Sequence, residues 1–124
     1  MQKILFTTKM ANYNFGDILL LKFPFTDHKN FKKRPALVIV DTLDGDIVVA
    51  RVTSKTKETV FDIQISKWEK SGLLLPSIIR LHKLATVDKS MVENKLGKLS
   101  SIDKERVMAV FPKLLSEKRS GTQR

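Results

Sequence analysis

The stretch RPALVIVDTLDGDIVVARVTS, residues 34–54, contains two apolar runs on either side of a tight-turn signal. Residues 36–40 form a short continuous apolar run, which is typical of a strand buried on both faces. Asp44 and Gly45 form a dipeptide that favours a tight turn, and a second apolar run follows at residues 47–52. The pattern therefore predicts an antiparallel β-hairpin.

The predicted hairpin brings two polar residues together. Because its strands run in opposite directions, the start of the first strand and the end of the second lie side by side at one end of the hairpin. Arg34 stands at the first of these positions and Thr53 at the second. We therefore expect the two side chains to be neighbours.

Such a pair suits the chemistry of a phosphodiester. A guanidinium group offers a rigid fork of donors to phosphate oxygens and stabilises charge that develops on phosphorus. A threonine hydroxyl adds a neutral donor or acceptor, and RNA carries its own nucleophile, the 2′-hydroxyl, so no metal is obligatory. The alternative is structural: Arg34 pairs with a carboxylate at the strand start, and Thr53 merely ends a strand.

The composition excludes several classes of site. The chain has 124 residues, which is typical of one domain, and it has no cysteine. Disulfides, thiolate zinc sites, iron–sulfur clusters and cysteine nucleophiles are therefore excluded. The two histidines, His28 and His82, stand far apart in the sequence, so a histidine-rich metal site is not expected.

The charge of the chain points to a polyanionic partner. Lys and Arg number 23 against 13 Asp and Glu, which gives a net charge of +10. The excess is spread over the chain, with 10 basic and 7 acidic residues up to Asp62 (+3) and 13 and 6 beyond it (+7). Nucleic acid is the most common partner of such a field. The alternative is a basic soluble protein without one.

Strand-like patterns recur on both sides of the hairpin. An apolar run at residues 17–23 ends at Pro24, a polar loop-like stretch follows at 26–34, polar and apolar residues alternate over 60–65, and residues 77–87 form a long strand candidate. The pattern predicts about five short strands in a mainly β, barrel-like domain. Strands and helices do not alternate regularly, which argues against a Rossmann-type fold.

Two helices are expected in addition. Ser66 can cap a short helix at residues 67–71 that ends at Gly72. A longer C-terminal helix begins after Ser100 or Ser101, and its apolar stripe at helical spacing consists of Val107, Val110, Phe111, Leu114 and Leu115. Pro112 lies within that stripe and should kink the helix or split it.

The two ends of the chain differ from the rest. Residues 1–12 are interpreted as an N-terminal extension, residues 13–115 as the domain, and residues 116–124 as a flexible basic tail. No apolar run approaches the roughly 20 residues that a membrane-spanning helix needs. The N-terminal apolar patch is too short for a signal peptide, so a cytoplasmic location is expected.

Five segments, taken in order, resemble the PemK/MazF family of toxin endoribonucleases. Each is weak alone, but their order and spacing are similar to the family pattern over roughly residues 13–115. They are GDILLLKFPFTD at 16–27, KRPALVI at 33–39, VTS at 52–54, GLLLPSIIR at 72–80 and KLGKLS at 95–100.

The resemblance implies a small SH3-like β-barrel of the CcdB/MazF type, usually a homodimer. It also implies the toxin of a type II toxin–antitoxin system, an mRNA interferase that cleaves single-stranded RNA at short sequences without a metal or other cofactor. The expected products are a 2′,3′-cyclic phosphate and a 5′-hydroxyl, and the expected protein partner is an acidic antitoxin. The family's catalytic arginine and threonine fall on Arg34 and Thr53.

Further candidate residues lie near this pair. In some relatives a histidine precedes the arginine, where this chain has Lys33. His28 is a candidate for acid–base catalysis, with an ordinary surface histidine as the alternative. The candidates for RNA binding, each of which could instead be a solvated or strand-end residue, are Lys32, Lys33, Ser54, Lys55, Ser77 and Arg80. Trp68 is expected in the core or in a dimer contact, with base stacking as the alternative.

The main alternative function is a binding protein on the same fold that does not cleave. It would act as a gyrase poison in the manner of CcdB, or bind nucleic acid without cutting it. In that case Arg34 would be dispensable. A third alternative is an inactive family member with a structural role.

Overall fold

The computed structural model describes residues 11–24, 31–56 and 58–116, and within them the chain forms six strands and one α-helix. The elements are β1 (Asp17–Pro24), β2 (Phe31–Asp41), β3 (Asp46–Thr53), β4 (Asp62–Gln64), β5 (Ile78–Asp88), a 3₁₀ turn (Lys89–Met91), β6 (Val92–Lys98), α1 (Ser101–Val110) and a terminal 3₁₀ segment (Phe111–Leu115). The strands form one antiparallel sheet in the order β4-β5-β3-β2-β1-β6. The sheet is open at β4 and β6, so the barrel is not strictly closed. The mainly β fold with a C-terminal helix confirms the prediction.

The predicted hairpin is present as β2 and β3. The two strands pair antiparallel, with Val38 opposite Val49 and Ala36 opposite Arg51. Gly45 in the connecting turn has a φ of 99°, a conformation that glycine adopts without steric cost. The pairing shifts between Val38 and Val40, where a bulge bends the hairpin.

Alternate residues of β1, β2 and β3 enter two separate apolar cores, one on each face of the sheet. The first core consists of Ile18, Leu37, Ala50, Val52, Ile63, Ile65, Leu73, Ile79, Leu81, Leu99 and Val107. The second consists of Leu19, Leu21, Ala36, Val38, Ile47 and Val49. Burial on both faces explains why the apolar runs are continuous rather than alternating.

The C-terminal helix follows its sequence signals. Ser100 is the N-cap, and its hydroxyl accepts a hydrogen bond from the backbone N–H of Asp103. The helix becomes a 3₁₀ segment at Phe111, just before Pro112, so the predicted split is confirmed. Val107 is buried as expected, but Leu115 is 81% exposed, because the change to 3₁₀ geometry turns it away from the core.

The predicted short helix at residues 67–71 is reduced to a series of turns. Ser66 does not cap it with its own side chain. The carboxylate of Asp103 accepts from the backbone N–H groups of Ser66 and Lys67, at 3.1–3.2 Å, and from the Ser66 hydroxyl at 2.8 Å. A buried acid on α1 therefore provides the cap and ties this turn to the helix.

The turn ends at Gly72 and packs directly on β6. The N–H groups of Gly72 and Leu73 donate to the carbonyls of Glu69 and Trp68, which is the hydrogen-bond pattern of a Schellman motif. Gly72 has a φ of 90°, and a Cβ there would overlap the carbonyl oxygen of Leu96. Glycine is therefore required at this position for two independent reasons.

Three strand predictions differ from the structure. β2 begins at Phe31, so residues 31–34 are extended rather than a loop. β4 spans three residues of the expected six. β6 was not predicted as a strand, because its sequence VENKLGK is polar and it lies at the edge of the sheet, where little of it is buried.

Other predictions fall on residues that the structure does not describe. These are His28, most of the N-terminal extension, and the tail beyond Ser116. The domain boundaries therefore stay predictions. No helix in the described part of the chain is long and apolar enough to cross a membrane.

Removal of the Asp103 carboxylate should destabilise the fold strongly. In Asp103→Ala, four donors from Ser66, Lys67 and Arg106 lose their acceptor in a site where Asp103 is fully buried. We expect the free energy of unfolding at pH 7 to fall by about 3 kcal/mol, measured by urea denaturation. The control is Glu105→Ala, an exposed acid on the same helix, which should cost less than about 1 kcal/mol. Equal losses in the two variants would contradict this role.

The contribution of Asp103 should also depend on pH. Burial alone would raise its pKa, but the hydrogen bonds from Ser66 and Lys67 outweigh burial and hold the pKa below the ordinary value of 3.8. An acid whose pKa is lowered in the folded state stabilises fully above that ordinary value and loses its effect as pH falls through the folded pKa. The stability difference between wild type and Asp103→Asn should therefore shrink from pH 7 to about pH 3.

Candidate active site

The β2–β3 pairing places the two predicted catalytic residues at one end of the hairpin. The last paired residues at this end are Ala36 and Arg51, and Arg34 and Thr53 each lie two residues beyond that pair. Arg34 is also paired with Leu21 of β1. Both predicted residues are half-buried, so each side chain is partly held by its surroundings and partly open to solvent.

Thr53 takes part in the turn that leaves β3. Its hydroxyl oxygen accepts a hydrogen bond from the backbone N–H of Lys55, at 3.1 Å. This local bond fixes the hydroxyl at the end of the strand while leaving its proton available for donation. The orientation of the hydroxyl is thus set before any ligand binds.

A basic cleft of about 330 Å³ lies beside Arg34, between β2, β3 and β5. We call it the arginine cleft. Arg34, Arg51 and Lys83 contribute its charge, and Pro35, Val49 and Leu84 are part of its apolar floor. No acidic side chain lines it. Within the described residues, none of the three cations forms an ion pair.

A second and larger groove, of about 800 Å³, runs along the β3–β4 loop, β4 and the segment before β5. We call it the wide groove. Three of the predicted RNA-binding residues line it: Ser54, Lys55 and Ser77. The half-buried Trp68 also lines it, which places an aromatic ring beside the polar groups. The arginine cleft and the wide groove share no lining residue, and Thr53 is in neither of them.

The two lysines before Arg34 have different surroundings. Lys33 donates to Glu93 of β6 at 3.3 Å, and Lys22 lies 3.6 Å from the other oxygen of the same carboxylate. The hydrogen bond from Lys33 lowers the pKa of Glu93. Lys32, the residue before Lys33 on β2, is exposed. The structure thus gives Lys33 a carboxylate partner across the sheet.

Arg80 is held in a buried ion pair. Its Nε donates to Asp62 of β4 at 3.0 Å, and the two side chains are only 14% and 3% exposed. Burial alone would raise the pKa of Asp62, but the bond from Arg80 and those from Thr59 hold it below its ordinary value. The structure therefore separates Arg80 from the open cations, and its role in RNA binding stays a prediction.

His82 lies on the other side of Arg80. Its Nε2 is 3.3 Å from an Arg80 nitrogen, and its ring packs at 5.5 Å from the centre of Phe61. Burial, and then the charge of Arg80, lower its pKa. His82 therefore packs as part of the fold between Arg80 and Phe61.

The structure brings two basic residues to the site that were not predicted from the sequence, Arg51 and Lys83. One signal for Arg51 was present, because it is the single charged residue in the apolar run 47–52 and stands two residues before Thr53. No local signal marks Lys83. Its position depends on a shift in the β3–β5 pairing.

The described residues contain no group of three or more histidine, cysteine, aspartate or glutamate side chains placed to hold a metal ion. The arginine cleft presents arginine and lysine side chains, which bind anions, whereas the wide groove is also lined by the carboxylates of Glu58 and Asp62.

The buried ion pair gives a test that separates structural from open arginines. In Arg80→Ala the Asp62 carboxylate stays buried without its partner, so we expect a loss of about 3 kcal/mol in the free energy of unfolding. Arg51→Ala, at the exposed neighbouring position on β3, should cost less than about 1 kcal/mol. Chemical denaturation of both variants measures the difference, and an Arg80→Ala protein as stable as wild type would refute the assignment.

Comparisons with known proteins identify the family and the fold of the chain. Residues 14–115 match the family described as PemK-like, MazF-like toxin of type II toxin-antitoxin system. No curated protein matches the chain.

Several solved structures share the fold. A MazE–MazF structure (Form-II) from Deinococcus radiodurans aligns with a TM-score of 0.69 at 21% identity, covering 85% of this chain and 96% of that chain. An endoribonuclease from a mycobacterial species gives 0.68 at 13% identity, with 86% and 93% covered. The Mycobacterium tuberculosis toxin MazF-mt6 gives 0.66 at 16% identity, with 80% and 95% covered. The MazF-type fold and the family expected from the five sequence segments are both confirmed. The chain therefore belongs to the PemK-like and MazF-like toxins of type II toxin–antitoxin systems.

Proposed function

We propose that this chain is a sequence-specific, metal-independent endoribonuclease that cleaves single-stranded RNA as the toxin of its system. The observation that carries the proposal is the position of Arg34 and Thr53 at the same end of the adjacent strands β2 and β3, where Arg34 lines the arginine cleft and Thr53 directly precedes Ser54 of the wide groove. An RNA strand that passes from one to the other would place a phosphate beside this pair.

In the proposed reaction the 2′-hydroxyl of the RNA attacks the adjacent phosphorus. The bond from the 2′-oxygen to phosphorus forms while the bond to the 5′-oxygen breaks, which leaves a 2′,3′-cyclic phosphate and a 5′-hydroxyl. One proton leaves the 2′-hydroxyl and one is delivered to the 5′-oxygen. Because the nucleophile belongs to the substrate, the reaction needs no metal-bound water.

Arg34 and Thr53 have separate roles in this mechanism. The Arg34 guanidinium donates to the phosphate oxygens and stabilises the charge that builds up as phosphorus becomes pentacoordinate. The Thr53 hydroxyl, already oriented by the Lys55 N–H, donates to the phosphate and positions it. His28 stays the candidate for proton transfer, with Arg34 as a second candidate.

The wide groove is the proposed site for nucleotides next to the cut. Lys55 offers an ammonium donor, the Ser54 hydroxyl can donate or accept, and Trp68 offers an aromatic surface. The Ser77 hydroxyl donates to the Leu75 carbonyl at 2.8 Å, so it is left as an acceptor. Base edges read in this groove would give the enzyme its sequence preference. Lys32, Lys33 and Arg80 are proposed as further contacts to the RNA backbone.

The protein partner we propose is an acidic antitoxin, and the proposed assembly is a homodimer in the cytoplasm. The net charge of +10 would speed association with an acidic protein. Two findings on similar folds support an antitoxin partner. A mycobacterial endoribonuclease has been solved in complex with its cognate antitoxin, and the Deinococcus radiodurans structure is of MazE–MazF.

Loss of the Arg34 charge should abolish cleavage. The purified protein is incubated in EDTA with a long mixed-sequence RNA, and the ends of the products are mapped. We expect discrete cuts with 5′-hydroxyl ends, and a rate about 10²- to 10³-fold lower for Arg34→Ala. The control is Lys113→Ala, an exposed cation on the terminal 3₁₀ segment, which should keep the wild-type rate.

Two outcomes would contradict the proposal. Full activity in Arg34→Ala would remove Arg34 from the mechanism. Intact RNA with folded wild-type protein would instead favour the binding protein that does not cleave, and gyrase would be the next target to test.

Two substitutions of Thr53 distinguish the effect of its hydroxyl on cleavage from the effect of its size. Thr53→Val keeps the shape but removes the hydroxyl, so we expect single-turnover cleavage to slow by about 10- to 100-fold. Thr53→Ser retains the hydroxyl, including its bond with the Lys55 N–H, and should recover most of the rate. If both variants are equally slow, or both are fully active, the hydroxyl does not act as proposed.

A further inference from the structure

The arginine cleft owes its third cation to an irregularity in the sheet. Ala50 of β3 is paired with Leu84 of β5, but the next residue, Arg51, is paired with Arg80. One step along β3 thus changes the paired residue of β5 by four positions, whereas regular antiparallel pairing changes it by one. Three residues of β5, from Leu81 to Lys83, are therefore inserted as a bulge, and Lys83 lines the cleft with Arg51.

The three cations of the cleft differ from the cations around them. Lys33 pairs with Glu93, Arg80 with Asp62 and Lys89 with Asp41. In the described residues no carboxylate pairs with any of the three cations in the arginine cleft.

Such an arrangement favours the binding of an anion. Like charges collected in one cleft repel one another, and an anion bound between them relieves that repulsion. The apolar floor strengthens the attraction, because it excludes water from one side of the charges. The cleft volume of about 330 Å³ lies at the lower end of small-molecule sites, which suits one nucleotide rather than a protein surface.

We infer that Arg51 and Lys83 form a second phosphate subsite, which binds the phosphate next to the one that is cleaved at Arg34 and Thr53. The inference rests on the proposed function. Arg51 and Thr53 are two residues apart on β3 and project from the same face, so they are separated by about 6.6–6.8 Å along the strand. That separation is comparable with the distance between successive phosphates of an extended RNA strand.

The subsite assigns a direct role to two residues that lie outside the Arg34 and Thr53 pair. Arg34 lines the cleft and lies at the same end of the hairpin as Thr53, so it connects the two phosphate positions. With the neighbouring phosphate held by Arg51 and Lys83, the scissile phosphate is fixed against Arg34. Arg51 and Lys83 are thus substrate-positioning residues that act by binding the strand.

The test measures RNA binding separately from cleavage. The probe is a short single-stranded RNA centred on the mapped cut, with 2′-O-methyl sugars around it so that it is not cleaved; without a mapped cut, a mixed-sequence pool of the same length is used. We expect Arg51→Gln with Lys83→Gln to raise Kd by about 10- to 100-fold and to reduce the salt dependence of log Kd by about 0.7 per lost phosphate contact. Lys113→Gln removes a charge from the opposite side of the sheet and should change neither quantity.

A chemical substitution in the RNA locates the subsite. One phosphate at a time is replaced by a neutral methylphosphonate on each side of the cut. At one position adjacent to the scissile phosphate, the replacement should weaken binding to wild type and have no further effect on the double variant. The inference would be overturned if each replacement weakened binding to both proteins by the same factor at every position. Wild-type affinity in the double variant would overturn it as well.

Failure of this inference is distinguishable from failure of the proposed function. If wild type cleaves RNA and the double variant binds normally, only the subsite is refuted. If wild type does not cleave, the proposed function is refuted, and the affinities of the uncleavable probes still decide whether the cleft binds phosphate. If wild type does not bind RNA at all, the subsite is refuted with the function.

Discussion

The two-sided burial of the β2–β3 hairpin is the constraint on which the site depends. Ala36 and Val38 enter one core, and Leu37 enters the other, so both faces of β2 are fixed by packing. A slip of one residue would exchange every side chain between two cores of different size and shape. Because that exchange is unfavourable, the register that brings Arg34 and Thr53 to the same end of the hairpin is held by apolar packing.

Local patterns were sufficient to predict the parts of the fold that local interactions determine. Asp44 and Gly45 marked the hairpin turn, and Ser100 and Pro112 marked the start and the split of the C-terminal helix. β6 could not be predicted in this way, because its polar sequence is a strand only through its pairing with β1. The turn after Ser66 also depends on a distant residue, since its cap is Asp103.

The candidate site, like the fold, could be predicted only where neighbouring strands determine it. Antiparallel pairing alone predicted that Arg34 and Thr53 lie at the same end of the hairpin, and the β2–β3 register agrees with that prediction. Lys83 could not have been found, since a shift in pairing of three residues between β3 and β5 brings it to the cleft. The charge count signalled a polyanionic partner, but only the ion pairs reveal which cations are engaged within the protein and which are open.

The pairing of β1 with β6 has a consequence for synthesis of the chain. Asp17 of β1 lies opposite Lys98 of β6, so the second edge of β1 is hydrogen-bonded only after β6 has been synthesised. The hairpin that carries Arg34 and Thr53 involves contacts close in sequence and can form earlier, whereas completion of the sheet requires contacts about 80 residues apart, which are slow to form. A nascent or truncated chain that ends before Val92 thus contains the hairpin with Arg34 and Thr53 but leaves the outer edge of β1 unpaired.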